Sequence, residues 1–300
     1  KACGTFALEL FKSGDFGHEW DHLDAALKGD EAFALKAATA SGDVLKYMRD
    51  SYKRNRAIVL AAVTNAGQVL RYANRGFRKD AEIALAAVTN DGAALRYVDP
   101  EWQDMDVFVL PAVKECPFAL QWAGTRLRKN REVVLAAVQR HGAQLMYADA
   151  QRQGDRRIVL AAIENWARAF EYASDGLRGD REIAMAAVRK DGTLLRYASS
   201  DLRDDRDIVI AAVRNYPAAL TWASLSLRDN FYVVMQAVTA VPNESTNYTD
   251  AASGQALQYA SERLRQNIDI VRAAVRADPE ALNDALEPAR SVVREEAQRE

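Results

Sequence analysis

The sequence predicts an all-α fold, an α-solenoid made of about eleven 25-residue helix-turn-helix repeats, and three observations predict it. The first is self-similarity at a fixed period. The block REIAMAAVRKDGTLLRYASSDLRDD, which begins at Arg181, runs directly into RDIVIAAVRNYPAALTWASLSLRDN, which begins at Arg206. Copying of this kind marks one supersecondary unit that cannot bury its apolar face alone and stacks on its neighbours. The second is a pair of columns in phase. Leu35, Leu60, Leu85, Leu110, Leu135, Leu160, Met185, Ile210 and Met235 recur every 25 residues, as do Tyr47, Tyr72, Tyr97, Trp122, Tyr147, Tyr172, Tyr197 and Trp222. The third is Asp or Asn just before each apolar run, where a side-chain oxygen can take the orphan N–H groups of a starting helix. The repeats cover about residues 5–291 and read as a single domain over 1–300, with worn first and last units and a loop insertion at 239–253.

Within a unit the elements follow in order. The caps are Asp30, Asn55, Asp80, Asn130, Asp155, Asp180, Asp205, Asn230 and Asn267, and Glu82, Glu132, Glu182 and Asp207 then place negative charge in the first turn, where the helix dipole favours it. The six-residue run Ile158–Ile163 could be a buried strand on periodicity alone; the caps and the Ala-Ala pair decide for helix. Apolar residues nearly all round that helix predict burial on both flanks, with the Leu35 to Met235 column inside. Gly67, Gly92, Gly142, Gly192 and Gly254, or Pro117, Pro217 and Pro279, end it. A second short helix carries the Leu and Tyr or Trp anchors, and a loop closes the unit. Pro100, Trp102, Met105 and Pro111 break the pattern in one unit, which predicts a bend.

The pattern of Asp, apolar run with Ala-Ala-Val, Gly, Leu-x-Tyr and Leu-Arg-x-Asp is seen at Ala86-Ala87-Val88, Gly92, Leu95-Arg96-Tyr97 and Leu202-Arg203-Asp204-Asp205. It resembles the repeat known as domain of unknown function 4116, over nearly the whole chain. The resemblance implies a binding array, found in proteins of protists, algae and bacteria that associate with host cells, and it implies no catalytic residue.

Composition narrows the function. Apolar residues at 49% and charged residues at 27% belong to a globular chain, and 40 Lys+Arg against 42 Asp+Glu leave a formal charge of -2, with no global field for nucleic acid or anionic membrane. The apolar runs are too short to span a bilayer, so no membrane insertion and a soluble chain are expected. The two cysteines, Cys3 and Cys116, form no disulfide framework and leave the compartment open.

Candidate chemistry is sparse. His18-Glu19-Trp20-Asp21-His22 is a literal H-E-x-x-H, which on a helix would hold zinc with Glu19 as general base, so a zinc-dependent hydrolase through His18, Glu19 and His22 is one alternative. The repeat register argues against it: Trp20 falls in the Leu column of the short second helix and His22 in the Tyr column, which gives both a packing role. No nucleophile, base and orienting group converge, and no glycine-rich phosphate loop occurs. No enzyme, metal, cofactor or small-molecule ligand is therefore expected. A basic column (Lys28, Lys53, Arg78, Arg128, Arg178, Arg203, Arg228 and Arg265) could line up phosphates, which keeps a nucleic-acid-binding helical repeat as the other alternative. Acids travel beside it, as Asp204 and Asp205 beside Arg203, so an Arg–carboxylate ladder between loops is expected and nucleic acid is not.

A stack spends its recurring columns on packing, and specificity falls to the columns that vary. The residue before the turn Gly or Pro runs Ala66, Asp91, Cys116, His141, Trp166, Asp191, Tyr216. His141, Trp166 and Tyr216 are expected to be exposed interface anchors. The polar insertion is expected to project as a loop and add private contacts through Asn243, Asn247 and Tyr248. Asn243-Glu244-Ser245 and Asn247-Tyr248-Thr249 also match the glycosylation pattern, which matters only in a secretory lumen. The reading is a non-catalytic protein-binding or scaffolding repeat protein whose partners are other proteins, as in a peripheral subunit of a large complex.

Overall fold

The computed structural model describes residues 20, 22–240 and 253–298, and among them the secondary structure is helical throughout, an all-α repeat solenoid. The insertion residues Asn243, Asn247 and Tyr248, and His18 and Glu19, lie outside the described residues. The chain divides into two compact units between Arg152 and Gln153. The first holds the long helices Glu31–Ala40, Arg56–Asn65, Ala81–Asn90, Asp106–Glu115 and Arg131–Arg140. The second holds Arg156–Asn165, Arg181–Lys190, Arg206–Asn215, Phe231–Val238 and Ile268–Ala277, followed by Ala289–Ala297.

Each long helix starts as the sequence predicts. All nine predicted caps accept backbone N–H groups from the first turn of their helix, as Asn55 Oδ1 does from Ala57 at 3.0 Å. At Met105 the cap is lost, yet the helix Asp106–Glu115 keeps its ten residues with Pro111 inside it. Trp102 stacks on Phe108 at 4.8 Å and covers that helix start.

The rest of the unit differs from expectation in two ways. The second short helix is a 3-10 helix, Gly67–Tyr72 in the second fully described repeat, and the segment read as a loop contains a further one-turn α-helix such as Ser200–Arg203 or Leu225–Arg228. A serine caps it at Ser199, Ser224 and Ser261: Ser224 Oγ accepts the Leu227 N–H at 3.2 Å and Ser261 Oγ that of Leu264 at 3.3 Å. Nor does the turn glycine end the long helix. The residue before it does, in extended conformation, as Ala66 at φ -142° and ψ 94° or Trp166 at φ -149° and ψ 105°.

The glycine instead permits close approach. A Cβ on Gly67 would sit 3.0 Å from Asp91 N and 3.1 Å from Ala87 C, and closer still to the Ala87 carbonyl oxygen of the next repeat; Gly42, Gly92 and Gly192 meet the same obstruction from Ala62, Ala112 and Ala212. Consecutive long helices accordingly touch more extensively across these glycines than across Pro117, Ala167 or Pro217. This column therefore acts as a spacer that sets how tightly one repeat seats on the next.

The core comes from two sources. The short-helix column Leu45, Leu70, Leu95, Leu120, Leu145, Phe170, Leu195, Leu220 and Leu257 is fully buried, and each long helix adds one face, such as Ile58, Val59, Ala62 and Val63. The Leu35 to Met235 column, expected inside, is not in that core. Leu35 and Leu85 are 37% and 38% exposed and the others half-buried, because positions 58, 59, 62 and 63 share one side of a 3.6-residue helix and position 60 falls to its edge. Burial is one-sided, not on both flanks.

Three ties recur between repeats. A backbone N–H reaches back 21 residues, as Asn74 to Lys53 O at 2.9 Å and Ser224 to Arg203 O at 2.9 Å. An Asn near the end of one long helix clamps the previous repeat: Asn90 Oδ1 accepts the Gly67 N–H at 2.7 Å while its Nδ2 donates to Thr64 O at 3.0 Å. Where Pro117 or Ala167 replaces the glycine, the clamp position carries Arg140 or Lys190, which donates to the carbonyls of Lys114 and Glu115 or of Ile163 and Glu164. The third tie is ionic and belongs to the site.

Candidate functional site

An Arg–carboxylate ladder exists, but not in the expected column. It is built by the first residue of the long helix reaching the cap and first-turn acid of the next: Arg56 to Asp80 at 2.7 Å and Glu82 at 2.6 Å, Arg181 to Asp205 at 2.9 Å and Asp207 at 2.7 Å, and Arg156 to Asp180 and Glu182. Arg56 holds the Asp80 carboxyl below the usual carboxylate range. Burial pushes Asp205 up, and the stronger pull of Arg181 and the Ile208 and Asp207 N–H groups brings it below that range. The predicted basic column is half-buried and does other work. Arg228 Nε donates to Tyr259 O at 2.6 Å and Arg265 Nε to Asp284 O at 2.7 Å, so these two guanidiniums hold backbone carbonyls, Arg178 meets Asp175 within its own turn, and Arg78 and Arg203 bury an Nε that has no hydrogen-bond partner among the described residues. The sequence could not separate the two columns because Arg156 and Arg181 stand next to Asp just as Arg203 does.

The column of His141, Trp166 and Tyr216 is half-buried at the helix-ending position, where the expectation was exposure. Its rings lie against other rings: Trp166 on Tyr172 at 6.4 Å, Tyr216 on Trp222 at 6.2 Å, and His141 on Phe118 at 4.6 Å. The Cβ atoms of Cys116 and Tyr216 also lie 2.8 and 2.9 Å from where a Cβ on Gly92 or Gly192 would fall. Trp20 is buried and stacks on Phe33 at 6.4 Å, in keeping with its packing role, whereas His22 is exposed. Among the described residues no group of three or more His, Cys, Asp or Glu is arranged to hold a metal ion. No helix among them is long and apolar enough to cross a membrane.

Two exposed faces remain, and sequence reading passed over both. On the long-helix face the half-exposed Leu column lines grooves between consecutive helices. One of about 360 Å³ is floored by Leu60, Ala61 and Ala57, with Thr39 and Thr64 beside them, and the next, about 540 Å³, by Leu85 and Ala86 with Thr64 and Thr89. In the second unit the corresponding groove of about 560 Å³ keeps an apolar floor of Met185, Ile210 and Ala211 but gains Arg189 and Arg214. A helical wheel drawn on the positions of the Ala-Ala pair would have exposed this face.

On the 3-10 face, an exposed cation precedes the aromatic column. Lys46 lies over Tyr47 at 5.0 Å, Arg71 over Tyr72 at 4.5 Å, and Arg96 over Tyr97 at 4.5 Å and Trp122 at 5.7 Å. Arg196 repeats the arrangement over Tyr197 at 4.6 Å in the second unit. The signal was the Arg-Tyr dipeptide, repeated in phase.

These repeats settle the family. The description "Domain of unknown function (DUF4116)" matches residues 55–103, 108–151, 155–203, 180–228 and 230–287. The chain belongs to the DUF4116 family. No curated protein and no solved structure matches it. The matched segments of this DUF4116 protein overlap at 180–203, as a tandem array with one repeating register requires.

Proposed function

We propose that this DUF4116 array is a non-catalytic binding module that docks other proteins along its long-helix face, as a scaffolding or peripheral subunit of a larger assembly. The observation that carries the reading is the half-exposed Leu, Met and Ile column, present in every long helix from Glu31–Ala40 to Phe231–Val238 yet left out of the stacked core. A soluble stack gains nothing from keeping such side chains at its surface in register, and contiguous exposed apolar area is characteristic of protein–protein contact. The groove beside Leu60, lined by no charged residue, suits an apolar ridge, that beside Leu85 adds Glu82 to its lining, and the groove with Arg181, Arg189 and Arg214 against one Asp207 suits a ridge that also carries acid.

The test is cross-linking of the full chain in an extract of its source cells, with identification of the proteins attached. The wild-type chain should capture protein through this face, and Leu60→Glu with Leu85→Glu should abolish capture while far-UV circular dichroism stays unchanged. Capture indifferent to the double substitution, or capture of no protein, contradicts the reading.

A further inference from the structure

On the 3-10 face of the first unit the exposed cations of three successive repeats meet no carboxylate among the described residues. Arg56, on the ladder, and Arg126, which reaches back to Asp106, each meet a carboxylate. Lys46, Arg71 and Arg96 are exposed and, among the described residues, take part in no ion pair. Their contacts are aromatic. Arg71 donates to the Tyr72 hydroxyl and Arg96 to that of Tyr97.

The second unit shows what belongs there. At the position of Arg71, one hundred residues on, stands Glu171, and Arg196 stands at the position of Arg96. The Tyr172 and Tyr197 hydroxyls and the Arg196 and Arg168 guanidiniums all favour the charged form of Glu171. Burial opposes its ionisation, but the two tyrosines and two arginines outweigh burial and hold it below the ordinary glutamate range. This row carries its own carboxylate in the cradle of aromatic hydroxyls and guanidinium. In the first unit this column carries a cation at three successive steps, Lys46, Arg71 and Arg96, with no acid in the column, before Gln121 and Met146 end the row.

We propose that the 3-10 face of the first unit, at Arg71 and Arg96 beside Tyr72, Tyr97 and Trp122, docks an acidic segment of another protein in polyproline II conformation, with one carboxylate at every third residue. The period selects this conformation. Packed helices lie about 8–10 Å apart, so the cations recur at about that spacing. Three residues of polyproline II advance about 9 Å and return to the same side. A β-strand returns to one side every second residue, about 7 Å, and misses the register. The aromatic lining fits a general mode of polyproline II recognition. Single-stranded nucleic acid is the competing polyanion, and it needs free ring faces on which bases stack. Here guanidiniums already lie over Tyr72 and Tyr97, which favours the peptide.

The test measures fluorescence anisotropy of the full chain with a labelled peptide of six Pro-Pro-Glu triplets, its Pro-Pro-Gln counterpart and an oligouridylate of equal charge. The Pro-Pro-Glu peptide should bind at least about tenfold more tightly than either competitor, as losing a charge-assisted hydrogen bond would give. Arg71→Glu copies the second unit and should weaken binding by at least about tenfold, because the new carboxylate occupies the cradle. Arg96→Gln should weaken it in the same direction, whereas Arg196→Gln and the Leu60→Glu, Leu85→Glu pair should leave it unchanged. The last pair separates this face from the long-helix face. No binding, equal binding of the Pro-Pro-Gln peptide, tighter binding of the oligouridylate, or equal loss in Arg196→Gln would each overturn the proposal.

Discussion

Gly67→Ala probes the spacing of the stack with a single methyl group. The added Cβ would fall 3.0 Å from Asp91 N and 3.1 Å from Ala87 C, with the Ala87 oxygen nearer still, so the next repeat must move away. Overpacking of this kind costs about 1–3 kcal/mol. The same movement stretches the Gly67 N–H to Asn90 Oδ1 bond, 2.7 Å long, whose loss costs about 1 kcal/mol. Against this, replacing glycine restricts the unfolded chain and returns about 0.4–1 kcal/mol. The net is a loss of roughly 1–3 kcal/mol, and it is bounded because Ala167 already occupies the same column in a repeat where the long helices touch less. Gly176→Ala is the matched control: nothing lies within 4 Å of its Cβ, so only the unfolded-state gain of about 0.4–1 kcal/mol remains. Urea unfolding followed by circular dichroism, at unchanged slope, reads both. Equal stability of Gly67→Ala and wild type would refute the spacer argument.

Other outcomes follow from the same structure. Leu95→Ala, at a fully buried position, should lower stability by about 2–5 kcal/mol, whereas Leu160→Ala on the outer face should lower it by roughly 1 kcal/mol; denaturation midpoints distinguish them. Asn90→Ala, which removes both arms of one clamp, should cost about 1 kcal/mol in the same assay. The ladder makes stability pH-dependent with a definite sign. Asp80 and Asp205 are held below their unfolded pKa of about 4, so their contribution is complete above that pH and is lost as pH falls through the lower folded values. Thermal melts from pH 6 down to about pH 2 should show that decline, and Arg56→Gln should flatten it.

Much of the fold was written in local chemistry. The period, the nine caps and the buried Leu of the short helix are each carried by residue type at fixed spacing, and each stands where the sequence puts it. What failed to show was direction. Leu60 and Leu70 are the same residue type, and only the rotation of the long helix sends one to its edge and the other into the core. Glycine in the Gly67 column suggested a helix end, but its reason is a carbonyl oxygen from the next repeat, a contact between positions that no single unit displays. Arg181 and Arg203 both neighbour an Asp in sequence, yet it is Arg181 that sits where carboxylates of the following repeat come within reach. The face at Arg71 and Arg96 was legible as a repeated Arg-Tyr pair and became distinctive only when the ladder proved to lie elsewhere.

The interdependence of neighbouring repeats is tested most directly by hydrogen exchange on Leu95→Ala, read segment by segment. Protection should fall in the flanking helices Arg56–Asn65 and Asp106–Glu115 as well as in Ala81–Asn90, since each repeat provides part of the wall that buries the next. Loss of protection restricted to Ala81–Asn90 and its own 3-10 helix, with both neighbours untouched, would contradict the account.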